Sequence, residues 1–181
     1  MKKIALFILL CLVVVLVAMS PIVPAQQSNR TQTASHDIKA VLEGTLTFVP
    51  LPFTSDFPFP FDVGTLSVAS AQVKGLGNSN VFTFHHPGPP PSATEPSVVL
   101  DGRFFIVAAN GDKIQGTYEG TTEPGTKPDQ LIGRAEWVIT GGTGRFANAS
   151  GTITATAYIT VAGFDVFEWP VTWVLEGTII Y

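Results

Sequence analysis

The sequence predicts an all-β protein whose antiparallel strands, about eight in number, close into a barrel, and three observations lead to this prediction. Apolar and polar residues alternate with period two along most of the chain beyond residue 37, as in strands with one buried face. Asn110-Gly111-Asp112 separates two such runs, and Asn-Gly is a strong hairpin signal. After the N-terminal apolar run, no segment of ten residues has apolar residues at helical spacing.

The N-terminus predicts export of the protein. Two lysines follow Met1 and precede an unbroken apolar run of sixteen residues, 4–19, which is typical of a signal helix. Small residues in 23–25 predict cleavage after Ala25, so that residues 1–25 are a signal peptide and the protein is secreted or periplasmic. The alternative is an uncleaved N-terminal membrane anchor, although the run is shorter than the roughly 20 residues that span a bilayer.

Cleavage changes which chemistry is available. It removes Cys11, the only cysteine, which excludes disulfides, thiolate metal sites and a cysteine nucleophile. It also removes two lysines, leaving eight basic and fourteen acidic residues and a net charge of −6. An acidic chain without a basic stripe is a poor partner for nucleic acid, and the membrane is a partner only through an uncleaved signal segment.

The mature chain divides into two parts. Residues 26–36 are polar and lack periodicity, which predicts a disordered tether, and residues 37–181 form the β domain. Two proline-rich segments, 50–61 and 85–96, predict loops, and the first carries Phe53, Phe57, Phe59 and Phe61. These rings either cap one end of the barrel or form a ligand mouth or contact patch. The predicted strands are 38–48, 64–74, 80–85, 97–109, 113–122, 133–140, 152–161 and 166–181.

A four-residue motif occurs three times, as Leu-Glu-Gly-Thr from Leu42, Tyr-Glu-Gly-Thr from Tyr118 and Leu-Glu-Gly-Thr from Leu175. Each copy places a large apolar residue and a glycine on one strand face. The unequal spacing excludes a solenoid repeat and favours similar positions in one curved sheet. Because the first and last copies lie near the two ends of the sheet sequence, we expect the terminal strands to pair.

The glycine-rich stretch Ile139–Gly151, ITGGTGRFANASG, contains the spacing of a dinucleotide-binding loop. That loop requires a helix after the glycines, but the residues that follow are rich in Thr and Ile and favour a strand. Gly141, Gly142 and Gly144 are therefore predicted to form a wide turn or bulge, with Phe146 packing back against the barrel end. No cofactor is predicted.

The same stretch resembles the segment of allene oxide cyclases and dirigent proteins in which a Gly-Gly-Thr-Gly turn precedes an aromatic residue and small residues. The hairpin NGDKIQGTYEG and the final EWPVTWVLEGTI are also similar to that family. The resemblance covers residues 102–181 well and 37–80 loosely. It implies an eight-stranded, calycin-like barrel and a bacterial secreted member of the family. It also implies a lumen that holds a hydrophobic molecule, but no catalytic residue carries over, because the early strands differ.

Candidate site residues follow from the alternation. Glu43 and Glu119, like Glu176, either project into the lumen as acid or base or face water beside threonines. Tyr118, Trp137, Trp169 and Trp173 are candidates to line the lumen, although such aromatic residues are more often core.

A metal site is not predicted. His85 and His86 are adjacent, so on a strand they point to opposite faces, and the one other histidine, His36, lies in the tether.

Two functions remain open, and a third possibility is an adhesive or matrix β-sandwich, against which pairing of the first and last strands would argue. The first is a binding protein that takes a small apolar molecule or serves a surface interaction role. The alternative is a cyclase or isomerase that acts on an apolar substrate in the lumen. The sequence leaves open whether the protein is an enzyme and what its oligomeric state is.

Overall fold

The computed structural model describes residues 34–50, 63–89, 91–92, 94–163 and 168–181. They form eight antiparallel strands in one closed barrel, in chain order, which confirms the predicted architecture. The predicted signal helix lies outside the described residues. Within the described residues, no helix is long and apolar enough to cross a membrane. The strands are β1 (Ser35–Pro50), β2 (Val63–Val73), β3 (Gly77–Pro87), β4 (Ser97–Val107), β5 (Lys113–Pro124), β6 (Gln130–Gly142), β7 (Ser150–Thr160) and β8 (Glu168–Ile180).

The barrel closes between its first and last strands, as the repeated motif predicted. The β1–β8 ladder runs from the Ser35–Ile180 pair to the Thr47–Glu168 pair. β1 begins at Ser35, so Ser35 and His36, which the sequence assigned to the tether, are strand residues. The polarity of these two residues gave no indication of a strand. In the structure, β8 supplies their hydrogen-bond partners, and the His36 ring stacks on Tyr181 with 4.5 Å between centroids.

The proline-rich segments differ in how far the structure describes them. Residues 51–62, including the four phenylalanines expected to cap the barrel or form a mouth, lie outside the described residues. β3 extends to Pro87, beyond the predicted end at residue 85, and begins at Gly77 after a tight turn. Gly75 and Gly77 have φ of 81° and 76°, the left-handed conformation that this turn requires.

The alternation predicted from sequence is the alternation between the two faces of the barrel. In the repeated motif, Leu42, Tyr118 and Leu175 are buried inside, whereas the glutamates that follow them are exposed outside. The motif glycines face inward, where a Cβ would collide with the carbonyl oxygen of the neighbouring strand. Glycine therefore allows neighbouring strands to approach closely on the concave face.

The glycine-rich stretch closes one end of the barrel. Gly141 and Gly144 have φ of 137° and 55°, and a single 3-10 turn, Gly144–Phe146, joins β6 to β7. The Phe146 side chain is 0% exposed and packs edge-on against Tyr181, with 4.7 Å between ring centroids. The predicted plug is confirmed, and because a strand rather than a helix follows, the stretch is not a dinucleotide-binding loop.

Phe146 should be a principal source of stability. We expect Phe146→Ala to lower the free energy of unfolding by about 3–5 kcal/mol, because it removes a fully buried ring. Phe105→Ala is the matched control, since Phe105 faces outward and is 42% exposed, and it should cost about 1 kcal/mol or less. Urea denaturation of both variants measures the difference, and equal losses would contradict the plug.

Candidate functional site

The two ends of the barrel are built differently. At the turn end, short connections join β2 to β3, β4 to β5 and β6 to β7, and Phe146 fills the interior. At the loop end, connections join β1 to β2, β3 to β4, β5 to β6 and β7 to β8, and the first two of these are the longest connections in the barrel. The chemistry of the interior changes between these ends.

The turn-end half of the interior is filled by large apolar side chains. Each of them is at most 4% exposed: Ile106, Ile114, Ile139, Phe146, Ile153 and Ile179. Side chains of this size, packed without polar partners, make this half an ordinary hydrophobic core.

The loop-end half of the interior is lined on β5, β6 and β7 by five small residues. Ala135 pairs with Gly120 on one side and Ala155 on the other, and Gly133 pairs with Ala157. Ala135 faces inward but is only partly buried. These residues fill less of the lumen than the isoleucines at the turn end do.

Opposite the small residues lies a chain of hydrogen-bonded polar side chains on β2, β3 and β5, the polar chain. The His85 imidazole contacts Thr65 Oγ1 through Nε2 and the Tyr118 hydroxyl through Nδ1, both at 2.8 Å. The Thr83 side chain also interacts with Tyr118. Thr65, Thr83 and Tyr118 are each at most 3% exposed, so this is a polar group within an apolar interior.

The contact between His85 and Tyr118 depends on the strand between them. His85 lies on β3 and Tyr118 on β5, and β4 separates the two. Opposite His85, β4 has a bulge in which Asp101 adopts φ of 52° and Gly102 pairs with Tyr118. A Cβ on Gly102 would collide with the Tyr118 ring, so the missing side chain lets the ring pass over β4.

Burial determines the protonation of this pair. Desolvation, together with the neighbouring His86, lowers the pKa of His85 to about 4, so the imidazole is neutral near pH 7. Desolvation also raises the pKa of Tyr118 above its ordinary value, and the hydrogen bond with Thr83 opposes this only in part. A neutral imidazole therefore lies beside a protonated phenol, and each can accept or donate one proton.

A second interior contact also passes over a glycine. Trp173 on β8 donates from Nε1 to Ser67 Oγ on β2 at 2.9 Å, and β1 separates these strands. On β1, Gly44 lies between Leu42, the partner of Trp173, and Leu46, the partner of Ser67. Because Gly44 has no side chain, the indole can reach Ser67.

Aromatic rings form a layer across the interior between the two halves. The Trp137 ring is central to it, with centroid distances of 4.5 Å to Phe104, 5.6 Å to Tyr118 and 5.5 Å to Trp173. Trp169 lies nearer the loop end, where its Nε1 donates to the Gly163 carbonyl at 3.0 Å. Trp137 Nε1 is fully buried and has no hydrogen-bond partner among the residues that the structure describes.

The aromatic residues predicted as lumen candidates, Tyr118, Trp137, Trp169 and Trp173, all lie inside the barrel. The two carboxylates proposed as catalytic candidates do not. Glu43 is on the outer face, where it accepts a hydrogen bond from Thr172 at 2.9 Å, and Glu119 is exposed on β5. The alternative in which these glutamates project into the lumen is wrong, because strand alternation directs them outward together with their neighbouring threonines.

Sequence reasoning missed the polar chain. Thr65, Thr83 and His85 lie on short stretches of β2 and β3 where serine, threonine and histidine alternate with apolar residues on the outer face. On these stretches the polar residues face the lumen. The usual rule that apolar positions mark the core therefore predicts the wrong inward face for these strands. The hairpin at 74–76 was the available signal, since it sets the register that brings Thr65 opposite His85.

His85 and His86 point to opposite faces of β3, as predicted, whereas His36 lies on β1 and not in the tether. His85 points inward, whereas His86 points outward, where its ring contacts Phe84 and its Nδ1 lies 3.7 Å from Asp101 Oδ2. In the part of the chain that the structure describes, no group of three His, Cys, Asp or Glu residues is placed to hold a metal ion.

Comparison of this chain with protein-family models, with curated proteins and with solved structures finds no match in any of the three. The function must therefore be argued from the barrel interior itself.

His85 should make stability depend on pH. Its pKa of about 4 in the folded protein is below the 6.5 of an ordinary histidine, so the unfolded chain takes up the proton first as pH falls. Stability from this group is therefore complete above about pH 6.5 and is lost as pH falls toward 4. The loss amounts to at most about 3 kcal/mol.

Urea denaturation of the wild type and of His85→Gln between pH 7 and pH 4 tests this prediction. Carboxylates titrate equally in both proteins, so the difference between their curves isolates His85. The wild type should lose more stability than the variant over this range, and parallel curves would refute the burial of a neutral histidine.

Proposed function

We propose that this protein is an exported barrel that binds a small apolar molecule in the loop-end half of its lumen. The observation that carries the proposal is the contrast between the two halves of the interior. The turn-end half is filled by isoleucines and Phe146, whereas glycine and alanine line the other half opposite aromatic rings. Apolar walls with a few convergent polar groups are typical of small-molecule sites.

Membership of the allene oxide cyclase and dirigent family, and export through the N-terminal segment, are part of this proposal. The closed eight-stranded barrel and the glycine-rich turn followed by a buried aromatic residue support the first. The basic and apolar pattern of residues 1–25 supports the second.

The binding site can be tested by filling it. We expect Ala135→Leu to abolish retention of an apolar ligand, because the new side chain occupies the space beside Gly120 and Ala155. Glu136→Leu is the matched control, since it introduces the same side chain on the exposed outer face and should leave binding intact.

Native mass spectrometry measures both variants and the wild type after expression of the full-length chain and purification from the exported fraction without detergent. The wild type and the control should carry a small apolar molecule, and Ala135→Leu should be free of it. Equal retention by all three proteins would place the ligand elsewhere. The same spectra report whether the mature chain begins at Gln26.

A second candidate function, cyclase or isomerase, is favoured by one observation. The neutral His85 imidazole bonded to the Tyr118 hydroxyl forms a proton acceptor and donor at the edge of the lumen. Proton transfer at a carbon next to a carbonyl is the step that such a pair can assist: the imidazole removes the proton and the phenol donates a hydrogen bond to the developing enolate oxygen.

Deuterium exchange tests this second function without knowledge of the substrate. If the pair is catalytic, the protein should accelerate exchange at the carbons beside the carbonyl of 2-octanone in D₂O, followed by proton NMR. His85→Gln and Tyr118→Phe should each reduce the rate by roughly 100-fold. Glu119→Gln, a change on the outer face, should have no effect. Exchange at the buffer rate by the wild type would leave ligand binding as the function.

A further inference from the structure

We infer that the molecule bound in the lumen is neutral and carries a hydrogen-bond acceptor oxygen, as a ketone, ester or ether does, and that this oxygen accepts from Trp137 Nε1. The inference rests on the proposed ligand-binding function and specifies the ligand's chemical class. Three features of the interior carry it.

The first feature is the unpartnered donor. The Trp137 indole is 0% exposed, and its N–H has no hydrogen-bond partner within the described part of the chain. The other two tryptophans show what is missing, since Trp169 and Trp173 donate to oxygens at 3.0 Å and 2.9 Å. Because a buried donor left unpaired destabilises the folded state, the site favours any occupant that brings an acceptor.

The second feature is the position of that donor. Trp137 pairs with Tyr118 and is two residues along β6 from Ala135, the inward alanine that is only partly buried. The Trp137 ring therefore belongs to the layer of rings that borders the small-residue part of the lumen. A ligand held beside Gly120, Ala135 and Ala155 would contact this layer, and an oxygen on it that lies at the edge of the Trp137 ring would satisfy the N–H.

The third feature is the absence of charge. Among the residues that the structure describes, every lysine and arginine is exposed, and so is every Asp and Glu except two partly buried ones. These two are Asp112, in the hairpin at the turn end, and Glu123, which pairs with Arg134 on the outer face. A carboxylate ligand would lose its hydration without gaining a cation, which strongly disfavours it.

The polar chain does not compete for this role. His85 contacts both Thr65 and Tyr118. These groups satisfy one another, whereas the Trp137 N–H has no acceptor among the residues that the structure describes. The donor that selects the ligand is therefore Trp137.

Three probes of one size separate the chemical classes. 2-Octanone supplies a neutral acceptor, 2-methyl-1-octene replaces its oxygen by a CH₂ group of similar shape, and octanoate carries a charge. The ¹⁵N-labelled full-length protein, purified from the exported fraction, shows three indole N–H signals, one for each tryptophan. We expect 2-octanone to move the Trp137 signal downfield, whereas the alkene shifts it little and octanoate does not bind.

Trp137→Phe supplies the quantitative test, because it keeps an aromatic ring and removes the donor. It should weaken 2-octanone binding by about 3- to 10-fold, the range expected for one neutral hydrogen bond, and change alkene binding by less than about twofold. Phe105→Leu is the control. It changes an aromatic ring on the outer face, where Phe105 is 42% exposed, and should leave the ratio of the two affinities unchanged. Thermal denaturation of each variant checks that the barrel is folded.

The outcomes separate the two proposals. A ketone affinity that falls selectively in Trp137→Phe supports both. If ketone and alkene bind but Trp137→Phe affects them equally, the acceptor inference is overturned and the lumen remains a binding site. Binding of octanoate as tight as that of 2-octanone overturns the requirement for neutrality. If no probe binds to the folded wild type, the proposed function fails, and the inference fails with it.

Discussion

The pairing of β1 with β8 is the constraint on which the rest of this structure depends. A sheet of eight strands with two free edges would expose unpaired backbone groups along both of them, whereas closure pairs every strand on both sides. Once the sheet is closed, each side chain must point either into the lumen or into solvent. The inward residues must then fit a space of fixed width, which large side chains fill at one end and small side chains line in part at the other.

Inward-facing glycines allow polar side chains on non-adjacent strands to contact one another inside this closed sheet. A residue on one strand ordinarily contacts only the adjacent strands, because their side chains block access to the strand beyond. Gly102 removes the block between Tyr118 and His85, and Gly44 removes it between Trp173 and Ser67. Both contacts bring a polar atom into an apolar interior and satisfy it there, which is the condition for burying it at tolerable cost. Of the three tryptophans inside the barrel, Trp169 and Trp173 have hydrogen-bond acceptors, whereas Trp137 has none among the residues that the structure describes.

Sequence reasoning succeeded where the barrel obeys simple alternation and failed where it does not. The repeated motif and the Asn110-Gly111 turn are local signals, so strand number, closure and the buried aromatic residues were predictable. Alternation shows that the glutamates share a strand face with their neighbouring threonines, but it does not show whether that face points into the lumen. Only the cost of burying a carboxylate favoured the outer face, where the structure places these glutamates. His85 was out of reach, because its importance depends on Thr65 and Tyr118, which are 20 and 33 residues away in sequence. No local sequence pattern predicts such a contact. The bulge at Asp101 permits the contact, but no residue pattern there distinguishes the bulge from an ordinary strand.

The terminal ladder also governs the order of events during folding. β1 has two partners, and one of them, β8, is separated from it by the whole length of the barrel. Contacts this distant in sequence are slow to form, since the chain loses most of its conformational freedom before they stabilise it. The barrel therefore cannot close on a ribosome-bound chain whose β8 has not yet emerged. For the proposed export, a chain that stays open until its last strand arrives is one that a translocation channel can thread, and closure afterwards would retain it on the far side.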